Sequence, residues 1–92
     1  MIRSFRSKGL QRFAEKGDAS KLSVQNIDRV ERILNRLVLA KTPDDMNSPG
    51  LYFHQLGGDQ TGRFSVRVTG NWRITFGWEA DDAIEVDLED YH

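Results

Sequence analysis

The side chains of this 92-residue chain that could carry chemistry are few: His54, Arg67, Arg73, Asp90, Tyr91 and His92. An imidazole titrates near neutral pH and exchanges protons, and an arginine stabilises charge that builds up on a phosphate. Cysteine is absent, and the two histidines stand far apart in the sequence. Gly57-Gly58-Asp59 is not a phosphate loop, because no helix opening on Gly-Lys-Ser/Thr follows it. With no motif for a metal, a nucleotide or an activated Ser or Cys, neither a metal nor a cofactor is expected. His54, beside Tyr52 and Phe53 in an apolar stretch, reads on its own more readily as a hydrogen-bonded packing residue than as a catalyst.

These residues need elements to hold them, and the central one is the stretch from Asn71 to Trp78. Its alternation sets Trp72, Ile74, Phe76 and Trp78 on one face of a strand, with Arg73, Thr75, Gly77 and Glu79 on the other. Arg63 to Val68 alternates in the same way. A two-residue loop between these strands would place Val68 opposite Arg73 and mix polar with apolar faces. A three-residue loop, Thr69-Gly70-Asn71 with Asn71 taking the left-handed conformation, pairs Val68 with Trp72, Val66 with Ile74 and Phe64 with Phe76. That register sets Arg67 directly across from Arg73, an arrangement of like charges that destabilises a sheet. Two readings of the pair stand: an anion sits between the arginines, or they splay into water or pair with Glu89.

Length and composition imply one domain with a single modest core. No long apolar run is present and Met1 to Arg6 lacks an apolar leader core, so a soluble intracellular protein is expected. The net charge of -1 conceals an asymmetry, about +6 for residues 1–42 against -7 for residues 43–92. A basic half attracts nucleic acid and an acidic half repels it, so charge alone does not name the partner.

Met1 to Phe5 reads as a short strand, Lys8-Gly9 as a break, and Leu10 to Lys16 as a short helix with Leu10, Phe13 and Ala14 inward, ended by Gly17. Ser23 is expected to cap a helix running to about Ala40. Its apolar stripe is Val24, Ile27, Val30, Leu34 and Leu37, with Leu22 and Ile27 as a staple. Arg29, Arg32 and Arg36 form a ridge on its other side, a solvated face or a row of phosphate contacts to RNA. A loop with both prolines, Thr42 to Gly50, separates this helical half from the strands. Those strands are Leu51 to Leu56, the hairpin, and Ala83 to about Glu89. The expected architecture is α+β, two N-terminal helices on one face of a mostly antiparallel sheet. The other face is expected to be open, carrying Ser65, Arg67, Arg73, Thr75, Glu85 and Asp87. Asp90 and His92 continue the parity of Ile84, Val86 and Leu88 at the end of the core face. Tyr91 shares the parity of Glu89, so a twist or bulge must bring the three into one cleft.

The start MIRSF, the hairpin SVRVTGNWRITF and the ending EDYH together resemble the HigB toxins of the RelE-like superfamily in bacterial toxin–antitoxin systems. The resemblance covers essentially the whole chain. It implies one domain, residues 1–92, with the RelE-like microbial ribonuclease fold. It implies a ribosome-dependent, metal-independent endoribonuclease that enters the A site of the 30S subunit of the 70S ribosome. There it cleaves mRNA by attack of a ribose 2′-hydroxyl, inhibiting translation and growth. It implies silencing by a HigA-type helix-turn-helix antitoxin, operator DNA contact only through that complex, residence in the bacterial cytoplasm and no membrane. By residue type the resemblance marks His54, Arg73, Asp90, Tyr91 and His92. Arg73 would stabilise the phosphorane, a histidine or Asp90 would move protons, and Tyr91 would stack or hydrogen-bond on the substrate. Base and acid stay unassigned. Relatives often carry a lysine where this chain has Gly57, a loss for which Arg63 or Arg67 is placed to compensate. Gly57 and the acidic second half favour an alternative, a weakly active or non-catalytic homologue that acts as an antitoxin- or RNA-binding module.

Overall fold

The computed structural model describes residues 1–90. Two helices, α1 (Lys8–Lys16) and α2 (Ile27–Leu39), precede four strands, β1 (His54–Gln55), β2 (Arg63–Arg67), β3 (Trp72–Glu79) and β4 (Asp82–Asp90). The strands form an antiparallel sheet in the order β1-β2-β3-β4. Leu10 and Phe13 of α1 and Val30, Ile33, Leu34 and Leu37 of α2 share one core with Val66, Ile74, Phe76, Ala83 and Val86 of the sheet. Rings run across this face as a ladder, Phe53 on Phe64 and Phe64 on Phe76, each at 5.7 Å, with Trp78 edge-on beyond. The α+β expectation is met.

Both helices start elsewhere than the sequence suggested. Ser7 caps α1 by accepting from the Leu10 N–H at 3.1 Å, so Lys8-Gly9 is its first turn rather than a break. Gly9 serves close packing instead, since a Cβ there would lie 3.0 Å from the Lys21 carbonyl oxygen. Ala14 is exposed, which leaves Leu10 and Phe13 as the buried pair. In α2 the cap is Asn26, whose side chain accepts from the Arg29 N–H at 3.2 Å, not Ser23. Val24 is buried in the core from the extended lead-in, and this burial competes with helical geometry there.

The β2–β3 register is the one deduced from parity: Phe64 faces Phe76, Val66 faces Ile74 and Arg67 faces Arg73. The Val68 N–H donates to the Trp72 carbonyl at 2.9 Å. The turn works differently from expectation, because neither Gly70 nor Asn71 has a positive φ. The Thr69 hydroxyl accepts from the N–H groups of Asn71 and Trp72 at 3.4 and 3.3 Å, a side-chain substitute for left-handed backbone.

Strand β4 carries an unforeseen bulge. Thr75 pairs with Asp87 but Gly77 pairs with Ile84, so Glu85 and Val86 together oppose Phe76, and Glu85 has φ 47°. Parity reverses there. Ala83 and Val86 point into the core, while Ile84 lies over Gly77, where a Cβ would meet its Cγ1 at 3.2 Å. The expectation that Ile84, Val86 and Leu88 share a face is therefore corrected for Ile84. The same bulge breaks the N-terminal strand into two parallel bridges to β4, Ile2 to Ala83 and Phe5 to Val86. Arg3 clamps this segment through Glu79 at 3.0 Å and Asp82 at 2.9 Å, and Arg6 reaches Glu85 at 3.4 Å. Part of the opposite charge of the two halves thus meets inside the molecule. Arg3 is also the leading cause holding the Asp82 carboxyl below its usual range.

Leu51 to Leu56 is strand only at His54–Gln55, because Tyr52 at φ 51° interrupts the extension. The Thr42 to Gly50 loop is ordered by one 3-10 turn, Pro43–Met46, with Met46 fully buried. A second such turn, Gly58–Gln60, occupies the connection into β2.

Candidate active-site cleft

On the sheet face away from the helices, register fixes three rows. Arg63, Gly77 and Ile84 form one; His54, Ser65, Thr75 and Asp87 the next; Arg67, Arg73 and Glu89 the third. Directly opposed side chains on one face lie about 4.5–5.5 Å apart at Cβ. A cleft of ≈ 320 Å³ opens over the last two rows, lined by Tyr52, His54, Leu56, Ser65, Arg67, Thr69, Gly70, Trp72 and Arg73.

The face is not open in the middle, as had been expected. Ser65 and Thr75 are buried, and so is Arg63. The Arg63 guanidinium donates to the Thr75 hydroxyl at 3.0 Å and to the Glu85 carbonyl at 2.9 Å. The bulge supplies that carbonyl, which links the backbone irregularity to the floor of the cleft. Burial lowers the Arg63 pKa, with nearby Arg6 adding to the effect and Glu89, Glu85 and Asp87 opposing it. Thr75 in turn donates to the Glu89 carboxylate. A polar chain from Arg63 through Thr75 to Glu89 therefore underlies Arg73, whose register partner on β4 is Glu89.

Of the residues singled out from the sequence, His54, Arg67 and Arg73 line one cleft. His54 is exposed, unlike the packing residue that its apolar neighbours suggested. Arg67 is exposed, and its guanidinium lies 4.3 Å from the centre of the Tyr52 ring. Its guanidinium therefore lies against an aromatic face, while its register partner across the strands is Arg73. Arg63, named from the sequence as a stand-in for the loop lysine, is buried in the floor of the cleft on Thr75 and the Glu85 carbonyl. Asp90 is exposed and pairs with Trp72, at the core-face parity, and it does not line the cleft. The bulge lies upstream of Asp90 and does not turn it. Tyr91 and His92 lie outside the described residues.

Arg29, Arg32 and Arg36 lie apart from this cleft, along a groove that also includes Ile33, Ser48, Pro49 and Leu51. Arg29 donates to the carbonyls of Gly50 and Arg67 at 2.5 and 3.1 Å. Arg36 donates to the Asp45 carbonyl at 3.1 Å. The ridge is thus neither a plain solvated face nor three available cations. Two of its members fasten the 42–50 loop to α2.

Sequence reasoning missed Tyr52 and the Thr75–Glu89 link. Nothing in the alternation announces either, since both depend on side-chain direction at a kinked or bulged strand. Among the described residues no three His, Cys, Asp or Glu side chains come together as a metal site, and no helix is long and apolar enough to cross a membrane.

Two helices laid on one face of an antiparallel meander, with a polar cleft on the other, define the RelE-like toxin fold. A crystal structure of a YafQ variant from E. coli superimposes with a TM-score of 0.61, covering 98% of this chain and 93% of that one at 11% identity. The chain belongs to the HigB-like toxins, described as the RelE-like toxin of the type II toxin–antitoxin system HigB, which its residues 3–92 match. It is also similar to Endoribonuclease HigB of Proteus vulgaris, 39% identical over 92 residues and the full length of both chains. A toxin of a type II system has an antitoxin as its partner.

Proposed function

We propose that this protein is an endoribonuclease toxin that cuts mRNA in the A site of translating ribosomes by attack of the substrate's own 2′-hydroxyl. The observation that carries the reading is the gathering of His54, Arg67 and Arg73 in one solvent-facing cleft of a chain in the HigB-like family. Arg73 supplies positive charge to the phosphate as it becomes the more negative phosphorane. His54 exchanges a proton with the 2′ or the 5′ oxygen. Tyr91 and His92 join the set by their match to the family's residue types, and Asp90, which stands outside the cleft lining, joins it by that match alone. The chemistry proposed needs no metal or cofactor, because the substrate carries the nucleophile. The partners proposed are a HigA-type antitoxin, the ribosome and, through the antitoxin, operator DNA; the compartment is the bacterial cytoplasm.

The test is induced expression followed by mapping of cellular mRNA ends, then cleavage on programmed ribosomes with the product ends identified by mass. A 2′,3′-cyclic phosphate is expected. A 5′-phosphate product would overturn the mechanism. Ribosome binding without cleavage would return the chain to a non-catalytic module.

A further inference from the structure

Tyr52 combines three features that a structural tyrosine does not need. It is 64% exposed, its backbone is left-handed at φ 51°, and its ring carries the Arg67 guanidinium 4.3 Å from its centre. Glycine adopts that backbone without steric cost, whereas a bulky residue there is strained and held by its surroundings. The surroundings are identifiable. The Arg67 N–H donates to the Leu51 carbonyl at 2.7 Å and the Leu51 N–H to the Ser48 carbonyl at 3.1 Å. On the other side of Tyr52, His54 is paired with Ser65. Arg29 ties the carbonyls of Gly50 and Arg67 together. An exposed cation–π contact is a weak interaction and does not by itself account for holding a tyrosine in this conformation.

The ring also stands at the right place for a ligand. Tyr52 and Arg67 line the same ≈ 320 Å³ cleft as His54 and Arg73, a size at the lower end of small-ligand pockets. Unstacked RNA bases are held on aromatic rings and on guanidinium planes, and here one of each is already stacked.

Resting on the ribonuclease reading above, we propose that Tyr52 and Arg67 form a stacking platform for the nucleobase next to the phosphate held by Arg73. The platform takes a single unpaired nucleotide and reads the planar face of its base. Arg73 and His54 address the sugar–phosphate, and the Tyr52–Arg67 stack fixes the nucleotide's position along the cleft.

The experiment compares binding of adenosine 5′-monophosphate with binding of ribose 5-phosphate to the free full-length protein, read from amide chemical shifts. The two probes share sugar and phosphate and differ in the base. The wild-type protein is expected to bind the nucleotide at least about five-fold more tightly, the lower end of what one base stack contributes. Tyr52→Gly removes the ring at a backbone angle glycine accepts, and is expected to bring the two probes to equal affinity; Tyr52→Phe retains the preference. Equal affinities in the wild type, or a preference that survives in Tyr52→Gly, would overturn the platform. If Tyr52→Gly does not fold, Tyr52→Leu serves for the same comparison. Cleavage on programmed ribosomes is scored separately, so a protein that prefers the nucleotide but cuts no mRNA would refute the ribonuclease reading and leave the platform standing.

Discussion

The molecule has two arginine groups, and they are used in opposite ways. On α2, Arg29 and Arg36 are engaged by main-chain carbonyls of the following loop and of β2, while Arg32 makes no hydrogen bond or ion pair among the described residues. On the sheet, Arg67 and Arg73 face each other across two strands and line a cleft. A helix ridge, with its neighbouring loop, offers unpaired carbonyls that a guanidinium's several donors satisfy. Among the sheet arginines, Arg63 is used in the helix manner, donating to the Glu85 carbonyl, whereas Arg67 lies exposed against the Tyr52 ring and Arg73 lines the cleft beside it. Equal charge on the two elements therefore predicts different consequences of removal: architecture on the helix and chemistry in the cleft.

The largest effect is expected at Arg73. Arg73→Ala should lower mRNA cleavage on programmed ribosomes by about a hundred- to a thousandfold, the usual cost of losing a preorganised charge-stabilising group. The thermal midpoint should move far less than in the core variant described next. Undiminished cleavage would remove the distinction between the two groups at its catalytic end.

Leu34→Ala calibrates the helix. Leu34 is 4% exposed in the shared core, and a large-to-small change there should cost about 2–5 kcal/mol in denaturant unfolding, with cleavage below the transition retained. Arg29→Met should come next. The thioether side chain keeps apolar bulk but leaves the Gly50 and Arg67 carbonyls without their donor, at a cost of about 1–3 kcal/mol. Arg32→Gln should fall within about 0.5 kcal/mol of wild type. If the two arginine variants unfold alike, the ridge is one surface after all. If Arg32→Gln alone flattens the salt dependence of ribosome binding, Arg32 is the member left to meet phosphate.

These contrasts also show where the sequence was legible. Alternation in β2 and β3 determined the register, because a one-residue slip would have turned Phe64, Val66, Ile74 and Phe76 into water, and the facing of Arg67 and Arg73 followed from it. The three matching segments pointed to the family. What stayed hidden depends on local backbone exceptions. The bulge at Glu85 leaves an apolar–acidic alternation that looks unbroken in sequence, yet it turns Ile84 outward and brings a carbonyl to Arg63. The kink at Tyr52 shortens β1 in a stretch whose composition is that of an ordinary strand. The start of α2 was misplaced because Ser23 and Asn26 are comparable caps, and burial of Val24 from the extended chain, a tertiary effect, favoured the second.

The smallest expected effect concerns the loop that the helix arginines hold. The Asp45 carboxylate accepts from the Lys41 N–H at 2.7 Å and the Thr42 N–H at 3.1 Å. These bonds, with Lys41 first and the charge of Arg36 last, hold its pKa below the ordinary 3.8. A carboxyl depressed in the folded state contributes stability that is fully present above its unfolded pKa and is lost as pH falls through the folded value. Asp45 should therefore add to stability at neutral pH and release that contribution on the acid side of about pH 4. Asp18 and Asp82 are depressed in the same direction, so the acid limb of the wild-type protein is shared among them. Asp45→Asn keeps an acceptor oxygen but removes the titration, and is expected to make the fall of the thermal midpoint between about pH 5 and pH 2 shallower, while Asp18→Asn changes the same limb without touching the 42–50 loop. Combining Asp45→Asn with Arg29→Met tests whether both act on one loop: coupled residues give non-additive losses, and strictly additive ones would mean that Arg29 and Asp45 hold the two ends of the loop independently.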